Sequence, residues 1–192
     1  MDLHATRGHC QEILNRIHAN GNRRDYPREL VAETRPRIDA LNHESDGGEQ
    51  LSDEEAMKLG IALHVMWLRD YALTTITSGN GRARGVTWTR VATSLHPAFV
   101  APAAFVAAHA FSLSGEVAAT GAALEVALSF QPDYKAARLL ADLVVAGDRS
   151  IPMDDAAEQL DAMQPTADWL RPLTARLQWF RQRGLPAPTQ KH

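Results

Sequence analysis

The chain has 192 residues, 45% of them hydrophobic, a single cysteine and a formal net charge of −3. This length suits one domain that buries roughly two-thirds of the surface its unfolded form exposes, and the dominance of Leu and Ala over Val, Ile and aromatics favours an all-α protein. One cysteine excludes an intramolecular disulfide, and no run reaches the roughly 18 apolar residues needed to span a bilayer.

In chain order, Leu3, Cys10, Ile13, Leu14 and Ile17 lie near one face of a first amphipathic helix, which Asn20-Gly21-Asn22 ends. The opening MDLHATRGHC has no apolar signal-peptide core, so a cytoplasmic protein without a membrane partner is expected. A second helix is predicted from Pro27 to about Asn42, bent or split at Pro36, whose ring removes an amide donor. The acidic, glycine-containing HESDGGEQ stretch after it lacks apolar periodicity. The expected organisation is an N-terminal helical arm over 1–43, a flexible loop over 44–51 and a helical body over 52–192, forming one globular unit.

Ser52-Asp-Glu-Glu55 has the form of a capping box. It predicts a helix to about Thr77, with Leu59, Leu63, Met66, Leu73 and Ile76 forming an apolar stripe widened by Trp67 and Tyr71. GNGRARG over Gly79–Gly85 lacks the Gly-Lys-Ser/Thr ending and preceding strand of a phosphate loop, so it reads as an exposed linker. A short helix should follow from Thr87 to Leu95, then one from Pro102 to Leu113 that stops at Gly115. Further helices are expected over 116–130, 134–146, 153–163 and 167–183, giving an irregular bundle of about eight helices.

Charge is distributed unevenly along this series. Residues 1–43 carry a net +1, residues 44–165 have eight Lys/Arg against sixteen Asp/Glu, and residues 166–192 carry a net +4. Nucleic-acid binding draws on concentrated cations; here the largest helical region is acidic. A nucleic-acid partner would require Arg82, Arg84 and the C-terminal arginines to share one surface.

Ala108, Phe111, Leu124, Ala127, Pro132 and Ala137 have the spacing of a tetratricopeptide-like helical hairpin. One and a half units cannot form a solenoid. On a wider scale, SDEEAMKLGIAL from Ser52, Arg69-Asp70, Trp88, VAPAAFVAAHA from Val100, Gly115, AALEVAL from Ala122, Pro132-Asp133-Tyr134, Ala137, Leu139 and Leu140 occur in a fixed order. Over residues 50–150 the chain resembles the C-terminal helical half of an uncharacterised actinobacterial family known as a domain of unknown function. It departs from that pattern at Val117 and Val126. The resemblance implies a helical fold and no particular chemistry, and the α/β half that precedes this region in family members has no counterpart in the chain.

Arg69 and Asp70 are the most chemically suggestive pair, as an anion clamp beside a carboxylate base or as separate anchors between helices. Adjacent helical residues point about 100° apart. Of the histidines, His64 and His109 lie in apolar runs and the spacings through His96 match no metal-ligand motif, so no metal and no cofactor is expected. Cys10 falls on a buried helix face without a base, and Asp154, Glu158 and Asp161 read as a solvated acidic face. Trp88 and His96 complete the residues of structural or site interest.

The last helix combines an apolar stripe, Trp169, Leu173, Leu177 and Phe180, with Arg171, Arg176, Arg181 and Arg183. The stripe is expected to pack on the acidic body as core; where it is incompletely covered, its aromatic and arginine side chains have the composition of interface anchors, and Trp179 is the member expected outside. Trp169, Arg176, Trp179, Phe180 and Arg183 therefore form the candidate interaction set. The functional expectation is a non-enzymatic protein-interaction module capable of self-association. The alternatives are a hydrolase or anion-binding enzyme, in which His64, His96 or His109 converges with Asp70 in an open pocket, and a nucleic-acid-associated protein.

Overall fold

A computed structural model describes residues 3–19, 25–43, 51–148, 150, 153, 156–163 and 166–183. Among these there are ten α-helices and no strand. They are α1 (Leu3–Ala19), α2 (Asp25–His43), α3 (Asp53–Ala62), α4 (Met66–Thr74), α5 (Gly81–Thr93), α6 (Val100–Leu113), α7 (Val117–Phe130), α8 (Lys135–Val145), α9 (Ala157–Ala162) and α10 (Arg171–Arg183). Short 3-10 turns at Pro97–Phe99 and Ala167–Leu170 lead into α6 and α10. The predicted stop at 20–22 and all but the last residue of the expected loop lie outside the described residues.

All fourteen residues of α6 are buried. Its sequence, VAPAAFVAAHAFSL, is apolar almost all round, which suits a helix enclosed by others. α5 and α7 pack along it, with α3, α4 and α8 closing the remaining sides. Its six alanines let these neighbours approach closely. Pro102 is accommodated in the first turn, where its missing donor has no intrahelical partner to lose. At the other end Gly115 adopts φ 77°, and the Gly115 and Glu116 amides donate to the carbonyls of Ser112 and Phe111 at 3.1 and 2.9 Å. This left-handed closure satisfies the last carbonyls of α6.

The capping box at Ser52 forms as its sequence predicts: Ser52 Oγ accepts from the Glu55 amide, while the Ser52 amide donates to Glu55 Oε2 at 3.1 Å. The helix it starts does not reach Thr77. It ends at Ala62, and a turn through Leu63, His64 and Val65 separates it from α4. The His64 and Val65 amides bond to the carbonyls of Ile61 and Ala62, one residue closer than an α-helix requires, and Val65 is extended. The break lets His64 turn inward, edge to face on Phe99 with ring centroids 5.6 Å apart.

The Gly79–Gly85 segment is a second departure from expectation. Gly81 begins α5, and Gly81 and Gly85 face α6 one turn apart. A Cβ on Gly81 would stand 2.5 Å from the Ala110 carbonyl, and one on Gly85 would collide with the Phe111 ring. The glycines are helical contact points where two backbones meet closely, so the segment is no linker. α2 likewise runs unbroken through Pro36, whose exposed position leaves the carbonyl it deprives of a partner open to water.

The first two helices pack into the same core as the rest: α1 lies on α10 and α3, and α2 lies on α3, α4 and α5. An aromatic column fastens these pieces. Tyr71 stacks on Trp67 at 5.2 Å, Trp67 stacks on Trp169 at 6.0 Å, and the Arg35 guanidinium covers the outer face of Tyr71 at 4.6 Å. Tyr71 donates to Asp39 at 2.6 Å, and Trp67 Nε1 donates to the Leu160 carbonyl at 2.9 Å. The polar edges of Tyr71 and Trp67 are thereby satisfied while their faces are buried.

Candidate functional site

Two features stand out on this scaffold. The first is a cavity of about 410 Å³ bounded by the α3–α4 turn, α4, the start of α6, the α7–α8 turn and α10. That volume lies within the range of small-molecule sites. Its polar lining is His64, Arg69, Gln131, Tyr134 and Arg176, and Trp179 forms part of the apolar wall.

Arg69 projects from α4 with Nε 2.8 Å from Asp70 Oδ1 and Nη1 3.3 Å from the Tyr134 hydroxyl. Burial acts to lower its pKa, but Tyr134 and Asp70 outweigh this and hold it raised. Burial raises the pKa of Asp70 despite the opposing pull of Arg69, and raises that of Tyr134 in the same way. The two adjacent residues meet because the long arginine side chain folds back onto its neighbour. The charge of Arg69 is therefore largely neutralised within the site.

Arg176 differs. Its Nη2 donates to Gln131 Oε1 at 2.6 Å, a neutral acceptor, and its guanidinium lies 5.9 Å from the Trp179 ring centroid. Burial lowers its pKa, offset by Asp133. His64 is held at a pKa of about 3, first by burial and then by the positive charge of Arg176. Its Nε2 is buried without a hydrogen-bond partner.

The second feature is an apolar surface. Val117, Val126 and Phe130 of α7 and Leu139, Leu143 and Val145 of α8 are all exposed, Leu139 to 66% and Val145 to 88%. Only Thr120, Leu124 and Ala127 of α7 are buried. Between α5 and α7 runs a groove of about 340 Å³, floored by Val100, Ala104 and Ala107 and walled by Val126 and Phe130, with no charged residue lining it.

The remaining candidate residues are dispersed. Trp169 and Phe180 are buried in the core, Trp179 is 39% exposed, and the side chain of Arg183 lies outside the described residues. Trp88 is fully buried. His96 accepts from the Ala98 amide through Nδ1 at 3.2 Å and packs edge to face on Phe180 at 4.7 Å. His109 Nδ1 lies 2.5 Å from Ser150 Oγ, and the Ser150 amide donates to Ser112 Oγ, so the pair pins the chain beyond α8 onto α6. Of His64, His96 and His109 only His64 lines the cavity, and Asp70 does not. Arg82 is exposed and 3.5 Å from Glu116, whereas Arg84 is buried, so the two share no exposed face. Among the described residues no group of three or more His, Cys, Asp or Glu is placed to hold a metal ion, and no helix is long and apolar enough to cross a membrane. Cys10 is buried, which pushes its thiol up to about 12. Asp154 and the side chain of Asp161 lie outside the described residues.

The sequence reading missed Gln131, Tyr134 and the α7–α8 surface. The signal for the surface was present: α7 has one charged residue, Glu125, in fourteen, a composition suited to an enclosed helix that here covers only one side of α6. Gln131 and Tyr134 carry no local signal, since they acquire a role only when α10 folds over the α7–α8 turn.

A family model described as a domain of unknown function (DUF4192) matches residues 2–149, more than half of the chain, so the chain belongs to that family. The match includes α1 and α2 and stops before α10, which supplies Arg176 and Trp179. No curated protein and no solved structure matches the chain.

Proposed function

We propose that this member of a family without assigned activity is a non-enzymatic helical interaction module, and that it self-associates through α7 and α8. The observation that carries the reading is two pairs of exposed apolar side chains, each one turn apart: Val126 with Phe130 on α7 and Leu139 with Leu143 on α8. Exposed apolar surface of this kind marks contacts with a partner. The surface supplies both halves of a contact: α8 presents Leu139 and Leu143 one turn apart as a ridge, and the α5–α7 groove offers an uncharged trough. Exposed charges of both signs flank the ridge, Glu125 and Asp142 against Lys135 and Arg138, so two copies related by a two-fold axis can pair them. Burying one leucine of this kind contributes about 1.5–3 kcal/mol.

The finer expectations fit this reading. α6 and α7 form the hairpin that we regard as tetratricopeptide-like, a cytoplasmic setting agrees with the lone buried Cys10, and an actinobacterial origin rests on the ordered motifs from Ser52 to Leu140. The test is light scattering on the eluted protein over a concentration series. We expect a dimer that the Leu139→Glu variant converts to a monomer of unchanged helical content. A wild-type protein that stays monomeric at every concentration would overturn self-association.

A further inference from the structure

The cavity beneath α10 is chemically unlike the apolar face, and its parts are those of a receptor. Two of its polar groups, Arg69 and Tyr134, already satisfy each other, and Arg69 also pairs with Asp70 outside the lining. Two others do not. Arg176 has a neutral amide oxygen as its hydrogen-bond acceptor, and the carboxylate that acts on its charge, Asp133, lies outside the cavity lining. His64 has a buried Nε2 with no partner at all, and a buried polar atom of that kind costs free energy unless something bonds to it.

The character of that nitrogen follows from its surroundings. The Phe99 backbone acts to favour protonation of the His64 ring, the effect of a carbonyl facing a ring N–H. With that proton on the Nδ1 side, the neutral ring leaves the unpartnered Nε2 as an acceptor. The cavity lining therefore holds one cation to which no carboxylate is hydrogen-bonded and one buried acceptor, with Leu63, Met66, Pro102, Pro172 and Trp179 as apolar walls. One net positive charge matches a monoanion better than a dianionic phosphate.

We infer that this cavity binds a small organic monocarboxylate that also carries a hydroxyl or N–H donor, with the carboxylate on Arg176, the donor on His64 Nε2 and an apolar body against Trp179 and the two prolines. Gln131 and Trp179 fix the orientation of the guanidinium, Gln131 through its hydrogen bond and Trp179 through its ring face. The site requires nothing of the α7–α8 surface, so the two proposals stand or fall separately.

Titration calorimetry at neutral pH tests the inference with four probes: 4-hydroxyphenylacetate, its uncharged amide, phenylacetate without the hydroxyl, and inorganic phosphate. The expected result is saturable binding of the hydroxy acid with Kd below about 1 mM. Phenylacetate should bind several-fold more weakly, and the amide and phosphate about tenfold more weakly or not at all. Arg176→Gln should weaken the hydroxy acid by about tenfold or more, and the Leu139→Glu monomer should bind it unchanged. The comparison of probes on the unaltered protein reports on His64 without a core substitution. No saturable binding, equal affinity for acid and amide, equal affinity for phosphate, or an unaffected Arg176→Gln variant would each overturn the proposal.

Discussion

His64 and His109 are both kept neutral by burial, at pKa values of about 3 and about 4 against an ordinary 6.5. This sets how the protein responds to acid. Above pH 6.5 neither the folded nor the unfolded chain protonates these rings, so they leave stability unchanged. Below 6.5 the unfolded chain takes up protons that the folded one refuses, and stability falls until the folded pKa is reached. For His109 the difference amounts to roughly 3 kcal/mol between pH 6.5 and 4. We therefore expect denaturant midpoints to fall steadily across that range, and His109→Gln to make the fall shallower, with His64, His9 and His96, all with pKa lowered by burial, accounting for the remainder. A His109→Gln protein with the wild-type slope would show that other groups govern acid unfolding. At the same scale the sequence revealed less than the fold does, because a histidine in an apolar run states its burial and not its partner. His96 became a cap, His109 a tether and His64 a cavity wall through contacts with residues distant in sequence.

The helix pair α5–α6 depends on the absence of side chains at Gly81 and Gly85. Gly85→Ala would drive a methyl into the Phe111 ring, and the shift needed to relieve it should cost about 1–3 kcal/mol. Gly121→Ala, an exposed helical position with open space around it, should stabilise by about 0.5–1 kcal/mol. Thermal melts of the two variants should move in opposite directions. Element existence was largely legible because it depends on local signals: the Ser52–Glu55 box, Pro102 and Gly115 each act within one turn. What the sequence hid was non-local. GNGRARG has the composition of a breaker, and only the small-residue surface of α6 opposite it makes a helix favourable. The turn at His64 was hidden for the same reason, since nothing nearby announces that Phe99 will receive its ring.

Across the whole molecule the chain closes on itself, with α1 lying on α10 and Phe180 wedged against Phe99 and His96 at 5.3 and 4.7 Å. Phe180→Ala should cost about 3–5 kcal/mol, a large share of the 5–15 kcal/mol typical of a domain. Deletion of residues 166–192 removes Trp169, Leu173, Leu177 and Phe180 together, and circular dichroism should then show no cooperative melting. Retention of a sharp transition in the truncated chain would show that α10 is an accessory. The all-α class was legible from composition, and α10 was correctly marked as carrying an apolar stripe with arginines. The stripe proved to be core, while its off-stripe members Arg176 and Trp179 meet Arg69 and Tyr134, a meeting that depends on packing over more than sixty residues of intervening chain.

The enclosure of α6 also bears on the order in which the protein is made. During synthesis α6 emerges before α7 and α8, and the sides that these two will cover remain bare until about thirty more residues have followed. For that interval the nascent chain displays a fourteen-residue apolar helix to its surroundings, the kind of surface that chaperones hold and aggregates recruit. A pause in translation after α6 should therefore cost soluble yield far more than one placed after α8.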